Sequence, residues 1–275
     1  MEEYKKNCKY LKKQLEEYAK EDVIVAFSGG VDSSLLLKMV CEASQKAGIR
    51  IYAVTIETKL HPAEDIKIAK RVAEETGAIH RVLPIDELSD AGIEDNPLDR
   101  CYRCKKYLFS EIKNMAESLG VKNILEGTNE DDLHVYRPGI RAVRELGIKS
   151  PLADAKMTKV QIRRLAGEYG ISVAKRPSGP CLATRFPYGA RLSYEVMHNV
   201  EQGEKFLKEL GFYNVRIRVH GNITRIEVDE KDIPMLISLK EQIIRFLRNL
   251  GFLYITVDLQ GFRSGSMDEN LKEEI

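Results

Sequence analysis

The sequence predicts an α/β fold, in which a doubly wound parallel sheet is followed by a smaller C-terminal α+β domain. Short apolar runs rich in β-branched residues alternate with helical patterns, as in parallel βαβ units; the runs lie at residues 23–27, 49–56 and 79–85. A Gly-Gly turn joins the first run to its helix. After about residue 175 the pattern changes to a long loop rich in Pro and Gly, and then to a hairpin.

The first domain is predicted to span residues 1–175. An amphipathic helix at residues 4–19 leads into it, and a second helix begins at Asp32. Thr158 is a good N-cap for the helix that closes the domain. Further elements are expected at residues 63–76 and 107–119, which are helical, and at residues 123–126, which form a strand. A nucleotide is expected at the carboxyl ends of the parallel strands.

The second domain is predicted to span residues 176–275. The loop at residues 174–189 contains three prolines and two glycines, so it cannot be a regular element. A loop of this length in a compact protein is typical of a functional segment. The elements that follow are expected to be a helix at 193–210, a hairpin that turns at Gly221-Asn222, a helix at 233–250 and a strand at 253–259.

Composition excludes several classes of protein. The 275 residues include 43 Lys and Arg against 42 Asp and Glu, which argues against a nucleic-acid surface along the whole chain. No apolar run approaches the length of a membrane span and the N-terminus is no signal peptide, so a cytoplasmic protein is expected. The five cysteines are an odd number, which favours buried thiols, metal ligands or reactive groups over disulfides.

The Gly-Gly turn has the residues of a phosphate-binding loop: Ser28, Gly29, Gly30, Asp32 and Ser33. The glycines let the backbone approach a ligand, and the following helix points free N–H groups at the turn, which favours an anion. The loop lacks the Lys-Ser/Thr ending of a Walker A motif, so transfer of a γ-phosphate is not indicated. An isolated Gly-Gly would be a plain capped turn, but the complete motif between strand and helix favours phosphate.

A second segment at a strand end, Gly127-Thr128-Asn129, is small and polar. Small residues there allow a flat base to approach the backbone. The alternative is a plain turn in which Asn129 or Asp131 caps a helix. Beside the glycine-rich loop we favour contact with a nucleotide.

Three cysteines lie outside apolar helical stripes: Cys101, Cys104 and Cys181. The Cys-x-x-Cys pair, expected on a loop, suits a redox pair, half a zinc site or two ligands of an iron–sulfur cluster. A zinc site would need a fourth ligand, for which His198 and His220 are available. Three cysteines without a fourth would leave one iron of a four-iron cluster open to an additional sulfide.

Alternatively, Cys181 acts alone. The same loop contains three cationic residues, Lys175, Arg176 and Arg185. Cations beside a thiol lower the pKa of that thiol. Under both hypotheses residues 101–104 and 181 form a sulfur site. The remaining cysteines, Cys8 and Cys41, are interpreted as packing residues.

Five segments together carry a resemblance to a known family. The loop at residues 28–33 resembles the PP-loop of ATP pyrophosphatases, which cleave ATP between the α- and β-phosphates. Together, the five segments resemble the ATP-dependent sacrificial sulfur transferases of nickel-pincer cofactor synthesis, the LarE family. In order along the chain they are residues 28–33, 101–106, 126–129, 180–185 and 215–218.

The resemblance implies a reaction. ATP adenylylates a carboxylate of a pyridinium dicarboxylate mononucleotide and releases pyrophosphate. Cys181 attacks to form a thioester, and cleavage of its Cβ–S bond leaves a thiocarboxylate on the substrate and dehydroalanine in the protein. The resemblance also implies ATP in the glycine-rich loop, Mg²⁺ placed by Asp32, a nucleotide pocket lined by Gly127 and Thr128, and a homo-oligomer.

The chain departs from the sacrificial pattern in having Cys101 and Cys104 as well. It is similar in this respect to PP-loop tRNA thiolases, which hold a [4Fe-4S] cluster with a Cys-x-x-Cys pair and one distant cysteine. In that version Cys101, Cys104 and Cys181 hold the cluster, sulfur is delivered catalytically and Cys181 survives. We favour this version, which requires the three cysteines to converge near Ser28.

Three arginines are candidates for the phosphate of the acceptor. Alternation along the strand places Arg216 and Arg218 on one outward face, and Arg263 lies in a Gly-Ser-rich segment after the last strand. Arginine gives bidentate hydrogen bonds to phosphate. The alternative for Arg216 and Arg218 is a solvated strand face.

Other functions share parts of this pattern. A tRNA thiolase would use the same activation, but it would need a basic and aromatic RNA-binding module that the sequence does not show. An amidotransferase or a ligase similar to NAD synthetase would have no use for three cysteines, and a nucleotide sensor would explain only the loop. We therefore expect a small nucleotide as the substrate, with no nucleic acid and no membrane as partner.

Overall fold

The computed structural model describes residues 2–44, 48–62, 64–135, 137–176, 179–263 and 265–267. Ala63, Pro177 and Ser178, which belong to segments predicted from the sequence, lie outside the described residues. The chain forms two compact units. The first unit comprises Met1–Ile93 and Asp99–Gly179, and the second comprises Glu94–Leu98 and Pro180–Ile275.

The first unit alternates strands and helices as predicted. Its helices are α1 (Glu2–Tyr18), α2 (Val31–Ser44), α3 (Glu64–Thr76), α4 (Glu87–Asp90), α5 (Arg100–Leu119), α6 (Gly139–Glu145), α7 (Pro151–Asp154) and α8 (Lys159–Glu168). Its strands are β1 (Val23–Ala26), β2 (Ile51–Glu57), β3 (Ile79–Pro84) and β4 (Asn123–Leu125). A 3-10 turn covers Asp131–His134.

The four strands form one parallel sheet in the order β3-β2-β1-β4, which confirms the predicted fold class. Successive residues of a strand point to opposite faces, so the sheet supports two apolar layers. On β1, Val23 and Val25 pack in one layer with α2 and α8, and Ile24 packs in the other with α5. Because β1 lies between β2 and β4, the loops that follow β1 and β4 emerge side by side at the carboxyl edge.

Helix α5 begins earlier than predicted. Its expected start near residue 107 left the Cys-x-x-Cys pair on a loop, but the helix starts at Arg100 and contains both Cys101 and Cys104. The residues that open α5 include no Gly or Pro, and the last Pro before it is Pro97. Since residues three apart share a helix face, both thiols lie on the same side of α5.

The second unit contains a three-stranded mixed sheet. Its strands are β5 (Val215–His220), β6 (Ile223–Val228) and β7 (Tyr254–Val257); β5 and β6 form the predicted hairpin and β7 runs parallel to β6. Its helices are α9 (Tyr194–Glu209), α10 (Ile233–Ser238) and α11 (Lys240–Asn249). The 3-10 turns are Leu182–Arg185 and Glu230–Asp232.

The single helix expected at residues 233–250 is divided into α10 and α11. The hydroxyl of Ser238 donates to the carbonyl of Met235, a local bond that competes with continuation of the helix. None of the described helices is long and apolar enough to cross a membrane.

Candidate functional site

Residues 28–33, here called the glycine loop, connect β1 to α2 and are fixed by their own hydroxyl groups. Ser28 N donates to Ser33 Oγ at 3.3 Å, and Ser33 Oγ donates to the carbonyl of Gly30 at 3.2 Å. Gly29 has a φ of 69°, and a Cβ built on it would lie 3.0 Å from the Ala69 Cα. Only glycine fits there, so the turn keeps its backbone open for a ligand at the N-terminus of α2.

Asp32 connects three elements at this edge. Its carboxylate accepts a hydrogen bond from Asn129 Nδ2 at 3.2 Å, after β4, and forms a short ion pair with Lys159 Nζ, at the start of α8. Thr158 is the N-cap of α8, as predicted, and it forms a full capping box with Gln161. The Asp32 and Lys159 side chains remain 19% and 30% exposed, so the pair can exchange partners with a bound ligand.

Gly127 and Thr128 lie beside Asp32. A Cβ on Gly127 would come within 3.1 Å of Ser33 N, so the glycine allows the segment after β4 to approach α2. Thr128 is buried, and its N–H and hydroxyl donate to the carboxylate of Glu126 at 3.0 and 2.8 Å. In this structure Thr128 therefore binds Glu126 at the carboxyl edge of the sheet. Its contact with a nucleotide stays a prediction.

Arg176 does not act as a bare positive charge. It donates to the carbonyl of Gly29 at 3.4 Å and pairs with Asp65 at 2.5 Å. Arg163 donates to the carbonyls of Ala174 and Arg176 and so fixes this segment. The effect of Arg176 on the thiol of Cys181 stays a prediction.

The Cys-x-x-Cys pair borders a buried carboxyl group. Cys104 Sγ lies 3.9 Å from Glu87 Oε1, and Arg100 Nη2 lies 3.9 Å from Cys101 Sγ. Burial raises the pKa of Glu87 to about 7, and its Oε2 has no hydrogen-bond partner among the described residues. Both cysteines are reduced thiols of intermediate exposure.

The two thiols are suited to supply two of the ligands of an iron–sulfur or zinc site. The described residues nevertheless contain no group of three or more His, Cys, Asp or Glu side chains that could hold a metal ion. His198 is exposed and 4.0 Å from Glu201, and His220 has its pKa lowered by burial and by Arg225. The expected convergence of Cys101, Cys104 and Cys181 stays a prediction.

Residues 180–185, here called the cysteine loop, hold Cys181 in the second unit. The carbonyl of Cys181 accepts hydrogen bonds from Thr184 N at 3.1 Å, Thr184 Oγ1 at 2.8 Å and Arg185 Nη1 at 3.3 Å. Arg185 forms a bidentate pair with Glu204, with both N···O distances 2.9 Å. Burial alone would raise the pKa of Glu204, but the hydrogen bonds and charge of Arg185 hold that pKa below its ordinary value.

The strand face with Arg216 and Arg218 is only partly solvated: Arg216 is half-buried, and the outward orientation expected for Arg218 was wrong. Arg218 is buried, pairs with Glu227 at 2.9 Å and donates to the carbonyl of Thr184 at 2.9 Å. The cysteine loop therefore covers this part of β5. Alternation along a strand identifies the face on which a residue lies, and it does not tell what covers that face.

Arg216 differs from its neighbours. Its guanidinium group lies 5.3 Å from the centre of the Phe262 ring and donates to the carbonyl of Val215, and within the described part of the chain no carboxylate lies within 4.0 Å of it. Burial and the nearby charge of Arg185 lower its pKa. Arg263 Nη1 lies 3.5 Å from Asp258. A half-buried arginine with no acidic partner is suited to an anionic ligand.

Sequence reasoning missed Lys159, Glu204 and Glu227. Glu204 had a readable signal, because it lies on the apolar stripe of α9 with Met197, Val200 and Leu207, where a charge predicts a buried partner. Lys159 lies in a segment where PP-loop enzymes commonly have a lysine, but it was not assigned to the site. Glu227 had no comparable signal, since a charged residue is ordinary on a strand.

Comparisons with known proteins give consistent matches. The PP-loop domain family matches residues 3–149. Over 249 residues the chain is 38% identical to pyridinium-3,5-bisthiocarboxylic acid mononucleotide synthase of Lactiplantibacillus plantarum, with 90% of each chain covered. It is 36% identical to an uncharacterized protein of Synechocystis sp., over 90% of this chain and 92% of that protein. It is 25% identical to tRNA-specific 2-thiouridylase of Rickettsia bellii, over 76% of this chain and 65% of that enzyme.

Proposed function

Because the chain belongs to the PP-loop family, and within it to the family of the L. plantarum synthase, we propose that it is an ATP-dependent sulfur transferase. The family resemblance expected from the five motifs is thereby confirmed. The proposed reaction converts a carboxylate of a pyridinium dicarboxylate mononucleotide into a thiocarboxylate. The observation that carries the proposal is the glycine loop, with Asp32 held between Asn129 and Lys159 at the N-terminus of α2.

The first step proposed is adenylylation. A carboxylate oxygen of the acceptor attacks the α-phosphorus of ATP, the bond from that phosphorus to the β-bridging oxygen breaks, and pyrophosphate leaves. The N–H groups at the start of α2 and the Lys159 ammonium group would bind the phosphates. Mg²⁺ is usually held by one or two carboxylates together with substrate phosphates, and Asp32 fits that role. Bound there, the metal would neutralise the charge of the leaving pyrophosphate.

The second step proposed is sulfur transfer. In the sacrificial route, the Cys181 sulfur attacks the acyl carbon and AMP leaves. Loss of the Cys181 Cα proton to solvent and cleavage of its Cβ–S bond then release the thiocarboxylate and leave dehydroalanine. In the alternative route, Cys101, Cys104 and Cys181 would hold a [4Fe-4S] cluster that supplies sulfide. The two routes differ in whether Cys181 survives.

The acceptor phosphate is proposed to bind at Arg216. This guanidinium group has no carboxylate partner within the described part of the chain, whereas Arg218 is occupied by Glu227. Arg263 follows β7 in the chain, next to Phe262, whose ring contacts Arg216, and it is proposed as a second contact. Of these arginines, Arg216 is therefore favoured over Arg218 as the residue that binds the acceptor phosphate directly.

The experiment that tests the function combines anaerobically purified protein with ATP, Mg²⁺ and one acceptor at a time, and it measures pyrophosphate. We expect release with the pyridinium dicarboxylate mononucleotide and none without an acceptor. Release with unmodified tRNA alone would instead identify a tRNA thiolase, the class of the R. bellii relative. Binding of ATP without pyrophosphate release under any of these conditions would indicate a nucleotide sensor and would contradict the proposal.

A further inference from the structure

We propose that Arg185 is a positioning residue that fixes the backbone of Cys181, with Glu204 as its anchor. The inference rests on the proposed function, in which Cys181 takes part in sulfur transfer. It holds for both sulfur routes, because a thiol that attacks an acyl carbon and a thiol that ligates a cluster both need a fixed Cβ–S direction. The cysteine loop lies within residues 174–189, a segment with three prolines and two glycines whose composition would not fix that direction by itself.

The guanidinium group of Arg185 divides its donors between two tasks. Nε and Nη2 bind the two oxygens of Glu204, each at 2.9 Å. Nη1 faces the cysteine loop and donates to the carbonyls of Pro180 and Cys181, at 3.1 and 3.3 Å, and to Thr184 Oγ1 at 2.9 Å. One planar group therefore holds the peptide on each side of the Cys181 Cα.

Glu204 is a fixed anchor for Arg185, because its side chain has further contacts besides that arginine. Its Oε1 also accepts a hydrogen bond from Ile217 N of β5 at 3.0 Å, and its stem packs on the apolar stripe of α9. Arg185 is 4% exposed and Glu204 5% exposed. Burying two charges is costly, and the cost is offset only when the remaining donors and acceptors are satisfied, as they are here by the cysteine loop.

A second arginine holds the far end of the same turn. Arg218 Nη1 donates to the carbonyl of Thr184 at 2.9 Å, while its Nη2 pairs with Glu227. Cys181 and Thr184 are thus tied at their carbonyls to two arginine–glutamate pairs. Cys181 itself has intermediate exposure.

Lysine cannot replace Arg185 in this role. An ammonium group is a point charge, and it cannot keep a bidentate pair and still reach three acceptors in a plane. Arg185→Lys preserves the charge beside Cys181, so it separates positioning from electrostatic activation. Because misplacing a reacting group by about 1 Å can cost about 10²-fold in rate, we expect the rate constant for thiocarboxylate formation to fall about ten- to hundredfold. The KM for the acceptor and the rate of pyrophosphate release should not change.

The experiment measures three quantities in wild type, Arg185→Lys, Glu204→Gln and the control Arg225→Lys. Arg225 shares Glu227 with Arg218 but donates to no atom of the cysteine loop among the described residues. The quantities are thiocarboxylate formation, pyrophosphate release and the peptide-resolved rate of alkylation of Cys181 by iodoacetamide. Cys8 and Cys41, which lie in α1 and α2 outside both proposed sulfur routes, serve as the reference cysteines for alkylation.

We expect Arg185→Lys and Glu204→Gln to lower sulfur transfer and to change the alkylation rate of Cys181 severalfold, while the reference cysteines and Arg225→Lys remain at wild-type rates. Wild-type sulfur transfer in both variants would overturn the inference, as would an equal fall of pyrophosphate release and sulfur transfer. If Arg185→Lys does not fold, Glu204→Gln decides. If wild type transfers no sulfur, the proposed function fails, and the alkylation rates still test whether Arg185 fixes the loop.

Discussion

The glycine loop of the first unit and the cysteine loop of the second unit both depend on ion pairs, but the pairs differ in exposure. Asp32 and Lys159 remain partly exposed and lie where a ligand would bind. Arg185 and Glu204 are almost fully buried and are bonded to backbone on two elements. The first arrangement allows partners to be exchanged, and the second holds one geometry. The comparison indicates that the Asp32–Lys159 pair is suited to ligand binding and the Arg185–Glu204 pair to positioning.

The largest effect is expected from breaking the buried pair. Removing one partner of a buried ion pair leaves an uncompensated charge, which typically costs about 3 to 5 kcal/mol of unfolding free energy. Glu204→Ala should therefore destabilise the protein strongly in chemical denaturation. The matched control is Asp22→Ala, which breaks the more exposed Arg50–Asp22 pair and should cost less than about 1 kcal/mol. Equal losses in the two variants would remove the distinction between exchangeable and fixed pairs.

Asp32→Ala should have the opposite profile, with a large loss of activity and a small loss of stability. The variant removes the carboxylate proposed to hold Mg²⁺ and frees Lys159, so pyrophosphate release should fall by about 10²-fold or more. Asp22→Ala again serves as the control, because Asp22 lies just before the start of β1, whereas the glycine loop follows the end of that strand. Normal pyrophosphate release by Asp32→Ala would contradict the role assigned to the glycine loop.

Arg216→Ala should weaken acceptor binding alone. Hydrogen bonds to charged groups contribute about 1.5 to 3 kcal/mol, so the acceptor KM should rise about ten- to hundredfold with no change in the Kd for ATP. Arg191→Ala provides a control, since Arg191 is an exposed arginine of the same unit that pairs with Glu94 and Asp95. A wild-type acceptor KM in Arg216→Ala would show that the phosphate binds elsewhere.

The smallest effect concerns Glu87, a buried carboxyl group that lacks the arginine partner of Glu204. Its pKa is raised from 4.5 to about 7, so the folded state retains a proton that the unfolded state has lost. Stability should therefore fall as pH rises from 4.5 to 7 and should fall no further from this group at higher pH. In metal-free protein, Glu87→Gln should remove that decline, so the variant should be more stable than wild type at pH 8. An unchanged pH dependence in the variant would show that Glu87 is not the titrating group.

The sequence was sufficient for the parallel sheet and the glycine loop, because both depend on local patterns. The apolar runs defined β1 to β3, and Gly29 requires a conformation that other residues avoid. It was insufficient for the start of α5, where a polar stretch after Pro97 looked like a loop and formed a helix. It also failed for Arg218, because the residue that covers a strand face comes from a distant segment. Long-range pairs such as Arg185–Glu204 are visible in the sequence only as a charge on an apolar stripe.

The central claim is that activation by ATP and transfer of sulfur use different groups, with Cys181 needed only for the second. The direct measurement compares wild type and Cys181→Ala in one assay that follows pyrophosphate and the mass of the acceptor. We expect wild type to release pyrophosphate and to form the thiocarboxylate, and Cys181→Ala to release pyrophosphate without forming it. The mass of the wild-type protein after turnover identifies the route, since consumption of Cys181 removes one H₂S. Thiocarboxylate formation by Cys181→Ala, or no pyrophosphate release by wild type with the acceptor, would contradict the claim.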